Sequence, residues 1–226
     1  MAAYASKSDI VKSLLITVFL SFLLAAGFVP TSQRIFEIVW RLVGLDPTYW
    51  PVIGRLISFP LLAFIFWASL PSPRQEPRGK SASFLVKISV LPVLIAFLFG
   101  LISKRVSLVS LSGYSFWFVL LWYVLFVPIG EEFLFRGWFY SVLERLFKGR
   151  LLTRTNPLPI SVWMTSLAFS IWHLQNLAHN YDAFVTFQLL YTLFTGLWLG
   201  YLRYMTGKLW PSIACHIVIN AAVNLI

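Results

Sequence analysis

About seven apolar runs of roughly 20 residues follow one another along the chain, separated by short polar segments. A run of this length can cross the hydrocarbon core of a bilayer as a helix, which satisfies every backbone N–H and C=O within the segment. Only 12% of the 226 residues are charged, against about 25% in an average soluble domain. We therefore predict an all-α fold, a polytopic transmembrane helix bundle that forms one integral membrane domain over residues 1–226.

Proline, glycine and charged residues mark the ends of these runs. Residues 34–49 differ from the rest because apolar side chains recur on one face while Arg34, Glu37 and Arg41 lie elsewhere, which predicts an interfacial amphipathic helix. The segment 71–83 is the most polar and is interpreted as a linker. The predicted spans are 10–28, 49–70, 84–103, 109–130 with a continuation to about 147, 157–177, 183–205 and 209–226.

Basic residues are distributed unequally between the two ends of the predicted spans. A large set falls on one side: Lys7, Lys12, Arg74, Arg78, Lys80, Arg145, Lys148, Arg150, Arg154, Arg203 and Lys208. A small set falls on the other: Arg34, Arg41, Lys104 and Arg105. The positive-inside rule then predicts a cytoplasmic N-terminus. The net charge of +10 belongs to loops of this kind, so we expect membrane lipid rather than nucleic acid as a partner.

Two adjacent carboxylates, Glu131 and Glu132, follow an almost purely apolar run. A charged side chain at membrane depth costs at least about 2.5–3.5 kcal/mol on insertion scales, so such residues usually have a function. Arg136 lies four residues after Glu132, the favourable order for an ion pair on a helix. We predict that Glu132 pairs with Arg136 and that Glu131 is the freer of the two. A purely structural pairing of both glutamates is the alternative.

Two further spans carry polar residues at helical spacing. Phe169 and His173 share one face of the fifth predicted span, and His216 and Asn220 share one face of the seventh. At 1.5 Å per residue, Glu131 and these His and Asn residues can all meet in the inner half to the middle of the bilayer. Nothing in the sequence requires them to do so.

A carboxylate, two imidazoles and an amide suit hydrolysis of an acyl bond by water. A partly desolvated glutamate can act as general base towards water, and imidazole and amide N–H groups can stabilise a tetrahedral oxyanion. The zinc motif HExxH and the serine motif GxSxG are absent from the sequence. We expect no cofactor; a divalent metal held by Glu131, His173 and His216 is the minor alternative. Cys215 is interpreted as a small packing residue.

The motifs Glu-Glu-x-x-x-Arg, Phe-x-x-x-His and His-x-x-x-Asn occur here in that order. Together with the phrase LWPSIACHIVINAAVN, they resemble the CPBP family, also called Abi, which includes type II CAAX prenyl proteases and bacteriocin-processing or bacteriocin-immunity membrane proteins. The resemblance covers about residues 110–226. The family has about eight helical elements, against seven predicted spans and the helix at 34–49.

The resemblance implies an intramembrane glutamic endopeptidase. Glu131 and His173 would activate the water, His216 and Asn220 would form the oxyanion hole, and Glu132, Arg136 and Phe169 would support the site. The substrate would be a membrane-associated peptide or lipidated protein, with prenylated CAAX-type proteins as one class. A prokaryotic plasma membrane or an organellar membrane is the expected location. The alternative is a non-catalytic scaffold or bacteriocin-immunity protein that uses the same polar residues structurally.

Overall fold

A computed structural model describes residues 5–23, 38, 60–61, 63–65, 67–68, 82–105, 116–148, 158–174 and 182–224. Every regular element within these ranges is a helix, which confirms the all-α prediction. Six longer helices are described: α1 (Lys7–Leu23), α2 (Ala82–Arg105), α3 (residues 116–147), α4 (Ile160–Trp172), α5 (Asp182–Thr206) and α6 (Trp210–Asn224). Within the same ranges, no helix combines the length and the hydropathy that a membrane crossing requires.

Helix α3 is continuous but changes its hydrogen-bonding pattern four times. It consists of an α-helical turn (Phe116–Val119), a π-helical segment (Leu120–Phe126), a short α-helical segment (Val127–Glu132), a second π-helical segment (Phe133–Phe139) and a final α-helical part (Tyr140–Phe147). The two glutamates thus end the short α-helical segment between two π-helical segments. Because π-helical turns are rare and often occur at functional sites, this part of α3 is distinctive.

Local sequence explains several helix ends. Ser6 and Asp9 form a reciprocal cap at the start of α1, since Asp9 N–H donates to Ser6 Oγ at 3.1 Å and Ser6 N–H donates to Asp9 Oδ2 at 2.9 Å. Helix α3 ends at Lys148, whose φ is 50°, and α5 ends before Gly207, whose φ is 67°. Both residues adopt the left-handed conformation that commonly terminates a helix, and glycine does so without steric cost.

The helices pack around α3 and α4. Helix α4 lies against α1, α3 and α5, and α6 lies against α2, α3 and α5. Leu134, Phe135, Phe139 and Leu143 of α3 form the largest apolar cluster with residues of α4, including Phe169. Small residues bring backbones close together: a Cβ on Gly200 would lie 2.9 Å from Val162 Cγ1, and one on Gly100 would lie 3.0 Å from Val223 O. These contacts hold α3, α4, α5 and α6 in one packed unit.

The described helices agree with most of the predicted spans to within a few residues. The span predicted at 157–177 is shorter than expected, because Pro159 is extended, with ψ at 158°, and the helix ends at Trp172. The predictions for 34–49 and 49–70 lie largely outside the described residues; of these positions Ile38 and several between 60 and 68 are helical. The polytopic arrangement of these helices in a bilayer stays a prediction.

Candidate active site

Both glutamates are withdrawn from solvent. Glu131 is 6% exposed and Glu132 is fully buried, and Arg136, one turn further along α3, is fully buried as well. Arg136 Nη1 donates to Glu132 Oε1 at 2.8 Å, so the ion pair predicted from the i,i+4 spacing is present. A buried carboxylate needs such a partner, because an unpaired buried charge is strongly destabilising.

Arg136 also joins α3 to α5. Its second terminal nitrogen, Nη2, donates to the backbone carbonyl of Gly196 at 3.2 Å. The guanidinium carbon lies 4.4 Å from the centroid of the Phe169 ring on α4, over the ring face. The side chain therefore contacts three helices, and the face of the aromatic ring adds a favourable cation–π interaction.

His216 lies between the two glutamates. Its Nδ1 is 2.9 Å from Glu132 Oε1, and its Nε2 is 3.6 Å from Glu131 Oε2. Glu132 Oε1 therefore accepts hydrogen bonds from both Arg136 and His216. Nδ1 therefore carries the proton that His216 donates to Glu132, and Nε2 lies on the side of Glu131.

His173 follows the last residue of α4, and its ring contacts that of Phe169. Its Nδ1 donates to the carbonyl of Phe169 at 2.8 Å, so Nε2 is the acceptor nitrogen of the neutral ring. The Phe169 ring meets His173 and His216 edge-on, with centroid distances of 5.0 Å and 5.6 Å. The two imidazoles are therefore no farther apart than the sum of these two distances.

Asn220 lies one turn beyond His216 on α6 and contacts the first π-helical segment of α3. Its Nδ2 donates to the carbonyl of Tyr123 at 2.9 Å, and its own backbone carbonyl accepts from Asn224 Nδ2 at 2.9 Å. Glu131, Glu132, Arg136, Phe169, His173 and His216 form one contiguous cluster. Asn220 lies on α6, and its hydrogen bond to Tyr123 joins it to the part of α3 that precedes the two glutamates.

Two residues of this site have no counterpart in the sequence-based prediction. Gly196 supplies the carbonyl that accepts from Arg136, and Arg203, which is 3% exposed, donates from Nε to the carbonyl of Arg136 at 3.3 Å. A backbone acceptor on a distant helix leaves no pattern in the sequence. Arg203, however, is a charged residue within the predicted span 183–205. Because charged residues within spans usually have a function, the sequence offered a reason to include Arg203 among the candidates.

The balance of charge in the cluster bears on its chemistry. Two carboxylates face one guanidinium, so with both imidazoles neutral the cluster carries one net negative charge, which one additional proton neutralises. Glu132 Oε2 and Arg136 Nε are buried and make no hydrogen bond in the described part of the structure.

Among the described residues, no group of three His, Cys, Asp or Glu side chains is placed to hold a metal ion.

Gly196→Ala is expected to destabilise the protein by about 1–3 kcal/mol, the usual cost of overpacking. The added Cβ would lie 3.1 Å from Ser166 Cα and 3.2 Å from Arg136 Nη2, and the backbone of α4 cannot easily move away. Thermal or chemical unfolding measures the effect. Phe194→Ala, at a 66% exposed position of the same helix, is the control. A Gly196→Ala protein as stable as wild type would contradict the close packing of α4, α5 and Arg136.

Residues 113–222 match the family model described as Type II CAAX prenyl endopeptidase Rce1-like. This range contains the whole cluster, from the first π-helical segment to α6. No curated protein and no solved structure matches the chain significantly.

Proposed function

Because residues 113–222 belong to the type II CAAX prenyl endopeptidase Rce1-like family, a family of proteases, we propose that this chain is an intramembrane endopeptidase in which Glu131 activates the attacking water. One observation carries the proposal. Glu132 is already bound by Arg136 and His216, whereas Glu131 is buried next to it and has Nε2 of His216 at 3.6 Å. The ion pair with Arg136 stabilises the charged form of Glu132, so we assign the proton transfer to Glu131.

An ionised Glu131 can act as a general base at this position. When Glu131 takes a proton from water, its negative charge passes to the hydroxide equivalent and then to the oxyanion of the tetrahedral intermediate, so the net charge of the site with its substrate does not change. Donors directed at the oxyanion are therefore needed to stabilise the transferred charge. The hydroxide equivalent then attacks the carbonyl carbon of the peptide bond, and the proton held on Glu131 passes to the leaving amine.

We assign His173 to the water and His216 with Asn220 to the oxyanion. The bond from Nδ1 of His173 to the Phe169 carbonyl orients the ring and leaves Nε2 to accept a hydrogen bond from the water. His216 would donate from Nε2 to the oxyanion when both ring nitrogens are protonated, and the Asn220 amide would donate its second N–H. Preorganised donors of this kind are often the largest contribution to catalysis of acyl transfer.

A multi-pass arrangement in the membrane is part of the same proposal. The family consists of membrane proteins, and large apolar side chains are exposed along α1 and α2, among them Leu15, Phe19, Leu91 and Leu98, each at least 57% exposed. Extensive exposed apolar surface favours contact with lipid. We propose a cytoplasmic N-terminus in a prokaryotic plasma membrane or an organellar membrane, and a substrate that is a membrane-associated peptide or lipidated protein.

The proposed activity is tested by offering the purified protein two matched peptides, one carrying a farnesylated cysteine three residues from its C-terminus and one unmodified. Mass spectrometry of the products identifies the bond that is cut. Release of the last three residues from the farnesylated peptide supports the proposal and assigns the substrate class. Cleavage of neither peptide, across a panel of membrane-associated sequences, would favour the non-catalytic scaffold or immunity role.

Metal dependence is tested in the same assay. Glu131, His173 and His216 would be the ligands: one carboxylate and two imidazoles are donors of the type that binds Zn²⁺, but the described structure does not place these three as a metal-binding group. If the purified protein contains no divalent metal and cleaves its substrate equally well in the presence of a chelator, the result supports activation of the water by Glu131 without a metal. Activity that is lost on chelation and restored by one metal would favour the metal-dependent mechanism.

A further inference from the structure

Arg203 is a buried cation to which the proposed mechanism gives no function. It lies on α5, 3% exposed, and its Nε donates to the carbonyl of Arg136 at 3.3 Å. Its Nη1 donates to the carbonyl of Gly207, the first residue after α5. Its guanidinium carbon lies 5.7 Å from the ring centroid of Tyr140, and Glu144 is close enough to interact with its charge. A buried charge with this many partners is costly to remove from water, which argues for a specific role.

The carbonyl that Arg203 binds belongs to Arg136, in the middle of the second π-helical segment of α3. In this segment two consecutive carbonyls accept side-chain hydrogen bonds. Arg136 O accepts from Arg203 Nε, and Gly137 O accepts from Ser141 Oγ at 2.6 Å. Arg203 of α5 and Ser141 of α3 thus both bind the backbone of this π-helical segment through their side chains.

Arg136 consequently meets α5 at two places. Its side chain donates to the carbonyl of Gly196, and its own carbonyl accepts from Arg203, seven residues or about two helical turns further along α5. Positions seven residues apart lie on nearly the same face of a helix. These two bonds fix both the backbone and the side chain of Arg136 against α5, so the guanidinium reaches Glu132 from a defined position.

The hydrogen bond from Arg203 Nη1 to the Gly207 carbonyl reaches the turn before α6, the helix that carries His216. Gly207 begins the turn that leads into α6, and α6 carries His216. One side chain therefore connects the backbone of Arg136 to the turn before α6. Glu132 accepts from both Arg136 and His216, so a shift of either partner changes the geometry of the acceptor that they share.

We propose that Arg203 is a positioning residue for the active site: it sets the register between α3 and the α5–α6 turn, and thereby the placement of Arg136 and His216 on Glu132. This inference rests on the proposed function, because a register matters for activity only if the cluster performs the reaction. Arg203 contacts neither the water nor the substrate in this assignment. Its effect passes through Arg136 and through α6.

Arg203→Gln tests the proposal, with Arg203→Lys as the conservative variant and Lys208→Gln as the matched control. Lys208 is an exposed cation five residues away, so its substitution removes the same charge from the same end of α5. Arg203→Gln is expected to lower the kcat for the farnesylated peptide by about 10–100-fold with little change in KM, since misplacement by about 1 Å can cost 10²-fold. Arg203→Lys retains a donor and is expected to recover part of the loss, and Lys208→Gln to behave as wild type.

A second readout does not depend on cleavage. The chain has three histidines, so histidine-selective ¹⁵N labelling gives three pairs of ring signals, assigned by substituting each histidine in turn. Arg203→Gln, and not Lys208→Gln, is expected to shift the signals of His216. If wild type cleaves nothing but the His216 signals shift, the register role stands and the proposed function fails. Unchanged His216 signals together with unchanged kcat would overturn the register role.

Combining substitutions separates positioning from a general loss of stability. If Arg203 acts through the Glu132 acceptor, Arg203→Gln added to Glu132→Gln lowers kcat no further than Glu132→Gln alone, because residues that act as a unit are not additive. Full additivity of the two losses would overturn the proposal. Should Arg203→Gln not fold, Arg203→Lys carries the same comparison.

Discussion

Glu131→Gln is expected to lower the kcat of peptide cleavage by about 10²–10⁴-fold, the contribution typical of a general base. The amide has nearly the shape of the carboxyl group but cannot accept the proton of the attacking water. The fold should persist, because the contact of Glu131 with His216 is long, 3.6 Å, and the bonds of Glu132 to Arg136 and His216 do not involve it. Steady-state kinetics and a thermal unfolding curve on the same preparation measure both effects.

Asp9→Asn is the matched control for this substitution. It also converts one carboxylate into an amide, but at the cap of α1, where Asp9 accepts from Ser6. Its kcat should equal that of wild type. Equal cleavage by wild type and Glu131→Gln would remove Glu131 from the mechanism, whereas loss of both activity and folding in Glu131→Gln would show that the carboxylate is needed for structure.

Arg136→Met is expected to lower the free energy of unfolding by about 3–5 kcal/mol, the usual cost of removing one partner from a buried ion pair. Methionine fills much of the apolar volume beside Phe169 but leaves the fully buried Glu132 with His216 as its remaining partner. It also leaves the Gly196 carbonyl without its donor. Denaturant unfolding in detergent, followed by tryptophan fluorescence, measures the change.

The double variant Glu132→Gln/Arg136→Met identifies the source of that loss. Removing both charges should restore most of the stability, because replacing a buried ion pair by neutral groups is often close to neutral. Activity should remain low, since His216 has then lost its charged acceptor. If the double variant is as unstable as Arg136→Met, the cost arises from the lost contact of the guanidinium with the Phe169 ring, at 4.4 Å, and not from unpaired charge.

Apolar runs bounded by charges predicted the helices well. The prediction at 84–103 corresponds to Ala82–Arg105, and the prediction at 183–205 corresponds to Asp182–Thr206. Helix α4 ends at Trp172, before the predicted end at 177, because the His173 ring donates to the Phe169 carbonyl and caps the helix there. That bond depends on the conformation of one side chain, which periodicity does not reveal.

The site was predictable only where its contacts are local. The spacing of Glu132 and Arg136 predicted their ion pair, but the bond between Glu132 and His216 spans 84 residues. Helical rise allowed the glutamates and His216 to meet, and only the packing of α6 against α3 brings them together. Arg203 was assigned to the basic side of the protein because its charge fits the positive-inside pattern, and its partners lie on α3 and in the turn after α5, at Arg136, Tyr140 and Gly207.

The two π-helical segments limit how the glutamate motif could be transferred to another protein. A residue gained or lost in an α-helix turns everything beyond it by about 100°, so the wider turns at 120–126 and 133–139 decide which way the flanking parts of α3 face. The Glu-Glu-x-x-x-Arg sequence grafted onto an ordinary α-helix could still form its ion pair. It would direct the residues equivalent to Tyr123 and Tyr140 away from Asn220 and Arg203. A designer who copies this site must copy the irregular backbone with it.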